Sequence, residues 1–283
     1  MANEATARAP KTALVRIAGL RKSYVQGSLF SRNKFSVEAL AGADLDIVPG
    51  CFTAIVGGSG SGKTTLARCL AMLEQPDAGE IWFDGQSISL RNPQLVKRLR
   101  PKIQLVFQDS AQALNPRFSA AQIIAEPLEI QRRESGPRLR ERTRELMEEV
   151  GLSPDWADRR PSELSGGQRQ RLAIARAIAL KPTLLILDES LSGLDLSTQA
   201  QILNLLLDLQ TTHGLTCLLI SHDLTLVGQI ADFVAVMHHG KIVESGSRQQ
   251  VLERPMQEHT RTLVASVHKL EYAFRTAQAG SAR

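Results

Sequence analysis

Aromatic residues are scarce in this chain, at 4% of 283 residues, and cysteine occurs only three times. Cys51, Cys69 and Cys217 lie far apart with no C-x-x-C spacing, which excludes a disulfide framework and a zinc or iron–sulfur site and leaves core thiols as the expectation. No apolar run approaches the ~18 residues of a transmembrane helix. Leu215 to Ile220 is broken at once by Ser221-His222-Asp223. The opening MANEATARAPK has neither the apolar stretch nor the small-residue cleavage site of a secretory signal, so a cytoplasmic chain is expected. No internal repeat or low-complexity tract is present. His238-His239 has no accompanying acidic or cysteine ligand set, and neighbours on a strand point to opposite faces, so a turn-facing or solvated pair is expected there.

Composition is otherwise ordinary for a globular protein, with 43% hydrophobic and 22% charged residues. The 34 Lys+Arg against 29 Asp+Glu permit an anionic partner without naming one. The charge gathers in Arg91 to Lys102 and in RRESGPRLRERTR (132–144), where acids and bases interleave as on a solvated helix face. These segments lack the interleaved aromatics that stack on nucleic-acid bases, and no nucleic-acid partner is expected.

Residues 13–18 and 43–48 alternate as half-buried strands do, and Cys51 to Val56 is a nearly continuous apolar run that reads as a buried strand. Further strands are expected at Glu80 to Phe83 and Lys102 to Phe107. Between Ala120 and Leu180 the period turns helical, punctuated at Pro127, Gly136-Pro137, Gly151 and Pro161. Strand and helix then alternate: Thr183 to Leu187, a helix from Ser197, Thr216 to Ile220, a helix from Leu224, Phe233 to Met237 and Lys241 to Glu244. That order predicts parallel strands with crossover helices. Residues 247–273 read as helical, followed by a frayed tail.

Gly57-Gly58-Ser59-Gly60-Ser61-Gly62-Lys63-Thr64 satisfies G-x-x-x-x-G-K-[ST] and stands between the buried strand and a helical run that begins with Thr64-Thr65. Glycines let the backbone curl so that successive N–H groups and the helix N-terminus face a polyphosphate. Lys63 then reaches its β/γ oxygens and the Thr64 hydroxyl ligates Mg²⁺. Leu184 to Glu189 is an apolar strand ending in two acids. Asp188 is suited to hold Mg²⁺ through water and Glu189 to orient or deprotonate an attacking water, although acids at a strand end also serve as plain helix caps. Ser165 in LSGGQRQ (164–170) is open to the same reading, as an N-cap followed by a glycine turn.

Taken together, the glycine loop, the LLILDE strand and LSGGQRQ resemble the signature of the ATP-binding cassette (ABC) family, and almost the whole chain follows that family's motif order. The resemblance implies an α/β fold: a P-loop NTPase with a RecA-like core, an antiparallel β subdomain and a helical subdomain. The cassette would span 13–247, its core formed by 13–108 and 181–247 and its helical subdomain by 109–180. Residues 248–283 would be a C-terminal helical extension and tail. Ser165, Gly166, Gly167 and Gln168 would contact the ATP of an opposing subunit, so the resemblance requires a dimer, of identical or homologous ATPases.

Motif by motif, Tyr24 resembles the aromatic that stacks on adenine, though a lone Tyr is more commonly packing. Gln108, at the end of KIQLVFQ, resembles the glutamine that approaches Mg²⁺. Asp195 in SGLD resembles the aspartate that crosses the dimer interface. His222 in ISHD resembles the switch histidine at the γ-phosphate, and taken singly is open to a core or capping role. Lys63, Gln108, Glu189 and His222 would be catalytic. Thr64, Gln108 and Asp188 would serve the metal. Tyr24, Gly57 to Thr65, Ser165 to Gln168 and Asp195 would hold nucleotide.

A finer resemblance, to the dipeptide, oligopeptide and nickel importer group, rests on QDSAQALNPR, on the long segment between Tyr24 and the glycine loop, and on EHTRTLVASV. The chain departs from that group's pattern at Ser190, at Gln257-Glu258-His259-Thr260 and in having no cysteine cluster after Cys217. The resemblance implies an ATPase that binds ATP and Mg²⁺ and powers import of peptide or nickel at the cytoplasmic face of the cell membrane. Its implied partners are two transmembrane permease subunits and, indirectly, an extracytoplasmic substrate-binding protein. The competing readings are an exporter ATPase and a soluble cassette acting on DNA or ribosomes.

Overall fold

The computed structural model describes residues 13–26, 35–107 and 113–266. Two sheets organise the chain. The first is antiparallel, in the order β2-β1-β4-β5, from β1 (Val15–Gln26), β2 (Phe35–Ile47), β4 (Ala78–Phe83) and the short β5 (Gln86–Ser87). The second has the order β10-β9-β3-β8-β7-β6, from β3 (Phe52–Val56), β6 (Ile103–Val106), β7 (Leu184–Asp188), β8 (Thr216–Ser221), β9 (Phe233–His238) and β10 (Lys241–Ser247). Its strands β9, β3, β8, β7 and β6 are parallel, and β10 closes the edge as a hairpin with β9.

Near-continuous apolar strands belong in a sheet covered on both faces. In β7, Leu185 and Leu187 enter one hydrophobic core while Leu184 and Ile186 enter a second, as the twofold period of a strand requires. β3 and β8 divide likewise, with Phe52, Ala54, Cys217 and Leu219 on the first side and Ile55, Leu218 and Ile220 on the second. The second core is completed by the antiparallel sheet, α1 (Lys63–Leu70) and α2 (Pro93–Leu99).

The first core is completed by helices. Between residues 113 and 180 the described residues contain no strand. They form α3 (Ala120–Ile130), α4 (Gly136–Glu149) and α5 (Gly166–Ile178). Ser119 and Gln122 start α3 with a capping box. The charge of 132–144 lies on an exposed face, with the pairs Arg138–Glu134, Arg142–Glu145 and Arg144–Glu148. α6 (Leu196–His213) is capped by Asp195 and ends at Gly214 in the left-handed conformation, and α7 (Leu224–Ile230) begins at the Asp223 cap.

Three expectations need correction. The strands expected at 13–18 and 43–48 are the outer parts of much longer ones, because register shifts between Ile17 and Leu20 and again near Lys22 break the alternation from which strands are read. Helix α2 was not expected, since only Leu95, Val96 and Leu99 of its residues are buried. Of residues 247–273, those after 266 lie outside the described residues, and 247–266 are not one helix. α8 (Arg248–Glu253) stops before Pro255, and a new helical stretch begins at Glu258, because proline excludes the helical conformation for the residue before it.

The fully buried centre of β7 carries the sheet. Replacing Ile186, which is 0% exposed, by alanine is expected to lower stability by about 2–5 kcal/mol, read as a lower urea midpoint at unchanged slope.

Candidate nucleotide site

β3 is buried throughout and delivers the chain into the glycine loop. The glycines are needed for close approach. A Cβ at Gly57 would lie 2.2 Å from the Met237 carbonyl oxygen, and one at Gly62 2.3 Å from that of Ala39. Gly62 also takes the left-handed φ of 107° that turns the loop into α1. The Gly240 N–H, in the β9–β10 turn, donates to the Ser61 carbonyl at 2.9 Å and holds the loop from outside.

Lys63 is the first residue of α1, and its side chain is only 4% exposed. Its ammonium donates to the Gly57 and Gly58 carbonyls, each at 2.9 Å, and stands 4.0 Å from Glu189 Oε1. Burial pushes the Lys63 pKa below its ordinary value, and the Glu189 and Asp188 carboxylates oppose that shift.

Asp188 closes β7 and is 4% exposed. It accepts a hydrogen bond from the Thr64 hydroxyl at 3.2 Å. Burial drives its carboxyl above the usual range, against the lowering effect of that bond. Glu189 follows with φ 45°, a conformation that strains a non-glycine residue by about 1–3 kcal/mol. It is held there from both sides. Its N–H donates to the Ile220 carbonyl at 2.9 Å, and its own carbonyl accepts from the Ser192 hydroxyl at 2.6 Å. The Glu189 side chain, 19% exposed, thereby lies between Lys63 and His222, whose Nδ1 is 3.7 Å from Glu189 Oε2. His222 itself is 62% exposed, so it is not a core histidine, and the cap of α7 is its neighbour Asp223.

The structure therefore brings Lys63, Thr64, Asp188, Glu189 and His222 together, and Tyr24 joins them through its hydroxyl, 3.5 Å from the Thr65 hydroxyl. Gln108 lies outside the described residues.

Ser165 to Gln168 and Asp195 form a second group. Ser165 caps α5 in a reciprocal box with Gln168: its N–H donates to Gln168 Oε1 at 2.8 Å, and its hydroxyl accepts from the Gln168 N–H at 3.3 Å. Asp195 caps α6, accepting from the Thr198 N–H at 2.9 Å and the Thr198 hydroxyl at 2.7 Å. The two caps touch, since a Cβ on Gly167 would fall 2.5 Å from Thr198 Cγ2. No hydrogen bond or ion pair of the described residues joins this group to Lys63, Thr64 or Asp188.

Sequence reasoning missed the supports: the Met237 and Ala39 carbonyls, the Gly240 N–H, Thr198, and Glu74, which accepts from the Tyr24 hydroxyl. Only Gly240, in a turn dipeptide between two strands, carries a sequence signal. His238 also differs from its expectation in being stacked on His259, at 3.7 Å between ring centroids. Among the described residues, no group of three His, Cys, Asp or Glu residues is arranged to hold a metal ion.

The Gly167–Thr198 contact makes a direct prediction. Gly167→Ala overpacks it and is expected to destabilise the chain by about 1–3 kcal/mol despite the better helix propensity of alanine. In a Thr198→Ser background, which removes Cγ2 and keeps the bond to Asp195, the same change should raise the melting temperature.

Comparison with known proteins agrees with this geometry. Residues 40–192 match the family model described as ABC transporter. The chain is 42% identical over 268 residues to the dipeptide transport ATP-binding protein of Escherichia coli, covering 94% of this chain and 79% of that protein. It is 44% identical over 255 residues to a probable peptide ABC transporter ATP-binding protein of Sinorhizobium fredii, covering 90% and 72%. A dimeric ATP-binding cassette in a post-hydrolysis state, bound to ADP and Pi, superposes with a TM-score of 0.74 at 30% identity, over 83% of this chain and 98% of that one. A phosphate loop on a buried parallel sheet and two acids at the end of β7, joined to likeness over nearly the whole length, lead to one conclusion: the chain belongs to the ABC transporter family and is one of its ATP-hydrolysing cassettes.

Proposed function

We propose that this ATPase powers the uptake of peptides through partner permeases, working at the cytoplasmic face of the cell membrane as a peripheral subunit. The observation that carries the chemistry is the Glu189 carboxylate, held between the Lys63 ammonium and the His222 imidazole at the end of β7. Lys63 spends two of its three N–H groups on loop carbonyls and keeps one for a β/γ oxygen of ATP. The N–H groups of Gly58 to Thr65 and the start of α1 hold the remaining phosphate charge. Glu189 takes a proton from the water that attacks the γ-phosphorus, ADP and phosphate leave, and His222 reports the γ-phosphate.

The Thr64 hydroxyl and the buried Asp188 carboxylate, 3.2 Å apart, are the hard oxygen donors that Mg²⁺ takes, and Gln108 is assigned to the same ion by the family resemblance. When bound, Mg²⁺ neutralises charge on the β- and γ-oxygens. Tyr24 offers its ring to adenine. Ser165, Gly166, Gly167 and Gln168, with Asp195, serve the nucleotide of an opposing ATPase, identical or homologous, so two chains enclose two ATP molecules.

The subunit is assigned to import of peptide rather than nickel because the relatives similar over most of its length are named for dipeptide and peptide transport. No helix of the described residues is long and apolar enough to cross a membrane, so the membrane path is assigned to separate permeases. Their docking place is assigned to a groove of about 980 Å³ between α3 and α4, with Phe118, Ala125, Leu139 and Met147 among its lining and Glu126, Arg140 and Asp158 around it. Tagged chain drawn from mildly solubilised native membranes is expected to bring two permeases with it. Recovery of ribosomes or DNA-repair proteins instead would overturn transport and leave the ATPase standing.

Glu189→Gln tests the base. The variant is expected to bind ATP normally, to hydrolyse it about 10²–10⁴-fold more slowly and to accumulate an ATP-dependent dimer visible by light scattering. Rapid turnover without that dimer would remove Glu189 from its role.

A further inference from the structure

Tyr24 is fixed more firmly than an aromatic at a strand end requires. Its hydroxyl donates to Glu74 Oε2, and the other oxygen of Glu74 accepts from Arg68 Nη1 at 3.2 Å. Arg68 lies on α1, the helix that begins with Lys63, Thr64 and Thr65. The loop after α1 is in turn laced to β1 beside Tyr24. The Asp77 carboxylate accepts from the Ser23 N–H at 2.7 Å and from Lys22 Nζ at 3.2 Å, and the Asp77 N–H donates to the Arg21 carbonyl at 2.8 Å. The Ser23 bond holds the Asp77 carboxyl below the usual carboxylate range, which marks that tie as one made to the charged group.

Lys22 completes the arrangement. Its ammonium also donates to the Gln75 carbonyl at 2.8 Å and stands 5.8 Å from the centroid of the Tyr24 ring. Lys22 thus ties the loop after α1 to the ring of Tyr24 as well as to β1. Burial, followed by the hydrogen bond to Glu74, pushes the phenol's ionisation upward, so the hydroxyl stays a donor through neutral pH.

We infer that Glu74 is a positioning residue for nucleotide recognition: by accepting the Tyr24 hydroxyl it holds the ring ready for the adenine of ATP, and through Arg68 it ties that platform to the helix that carries the phosphate site. The inference rests on the reading of Tyr24 as the adenine platform. A ring held in advance spares the ligand the ordering of a side chain, an effect of about two- to tenfold in Kd.

The test measures, on the full chain, the Kd of ATP, the Kd of inorganic tripolyphosphate and steady-state turnover, with a thermal melt of each variant. Glu74→Ala is expected to raise the Kd and KM for ATP about two- to tenfold, with kcat and tripolyphosphate affinity within a factor of about two. Glu74→Gln, whose amide oxygen accepts the same hydroxyl, should restore ATP affinity. Tyr24→Phe should reproduce Glu74→Ala even if the latter folds poorly, and the double variant should bind ATP no more weakly than either single one. If Glu74→Ala weakens tripolyphosphate as much as ATP, Glu74 acts on the phosphate loop and the inference is wrong. If Tyr24→Ala weakens ATP binding while Glu74→Ala and Tyr24→Phe do nothing, the platform stands without Glu74. If Tyr24→Ala leaves ATP affinity unchanged, the platform reading itself fails.

Discussion

A buried ammonium group sets the terms for the rest of the site. Transfer of a charged amine out of water is prohibitive unless hydrogen bonds and opposite charge replace its hydration. Lys63 meets that requirement through two glycine carbonyls and two carboxylates near by, and each of these depends on a different part of the fold. The carbonyls depend on the curl of Gly57 and Gly58 at the end of β3. The carboxylates depend on β7 lying beside β8 and β6, so that Asp188 and Glu189 emerge at the same sheet edge as the loop. Carboxyl edges of parallel strands are where ligands bind in open α/β sheets, and here the edge also supplies the carboxylates that oppose the lowering of the lysine's pKa by burial.

A loop with glycine at four of its first six positions invites a description as flexible, and the packing argues otherwise. Gly57 is pressed against the Met237 carbonyl and Gly62 against that of Ala39, while Gly240 bonds to Ser61 and also accepts from the Ala41 N–H at 2.9 Å. Met237 and Gly240 come from the end of the parallel sheet, and Ala39 and Ala41 from β2 of the antiparallel one. Both sheets therefore grip the loop, and its glycines allow backbones to approach where any Cβ would collide. Under the proposed function, rigidity of this kind would let N–H groups stay oriented toward phosphate without reorganising when it arrives.

Much of this was legible beforehand because its signals are local. Gly57 to Thr64 is a contiguous run between a strand and a helix, and LLILDE is contiguous as a buried strand with acids at its end, so both were readable from spacing and flanking pattern. The strands Thr216 to Ile220 and Phe233 to Met237 were legible for the same reason, as apolar runs close to the observed β8 and β9. What escaped was either irregular or long-range. Bulges near Gly19 hid the inner halves of β1 and β2, because alternation is lost where two residues oppose one. Glu74 is 50 residues from Tyr24 and Thr198 is 31 from Gly167, and no periodicity connects such pairs. His259 reaches His238 only because Pro255 ends α8 and a new helix starts over the β9–β10 hairpin.

Separation of the two motif groups is itself informative about mechanism. Within one chain Ser165 and Gln168 satisfy each other, and Asp195 satisfies Thr198, so the signature turn is stable without any nucleotide. Those bonds leave the N-terminal end of α5, with its partial positive charge, free of any acidic residue in its first turn. In the proposed dimer that end meets the γ-phosphate held by the other chain, and the attraction exists only while the phosphate is present. Moving a two-state equilibrium from 1:99 to 99:1 takes about 5.5 kcal/mol of differential binding, within reach of a few charge-assisted hydrogen bonds at each of two sites. Gly167 is packed directly on Thr198, so in the proposed dimer a shift of the turn that meets the partner's nucleotide would bear on the Asp195 cap. That cap follows Glu189 by only six residues along the same loop. Under the proposed function, closure and hydrolysis would be coupled through this one short segment.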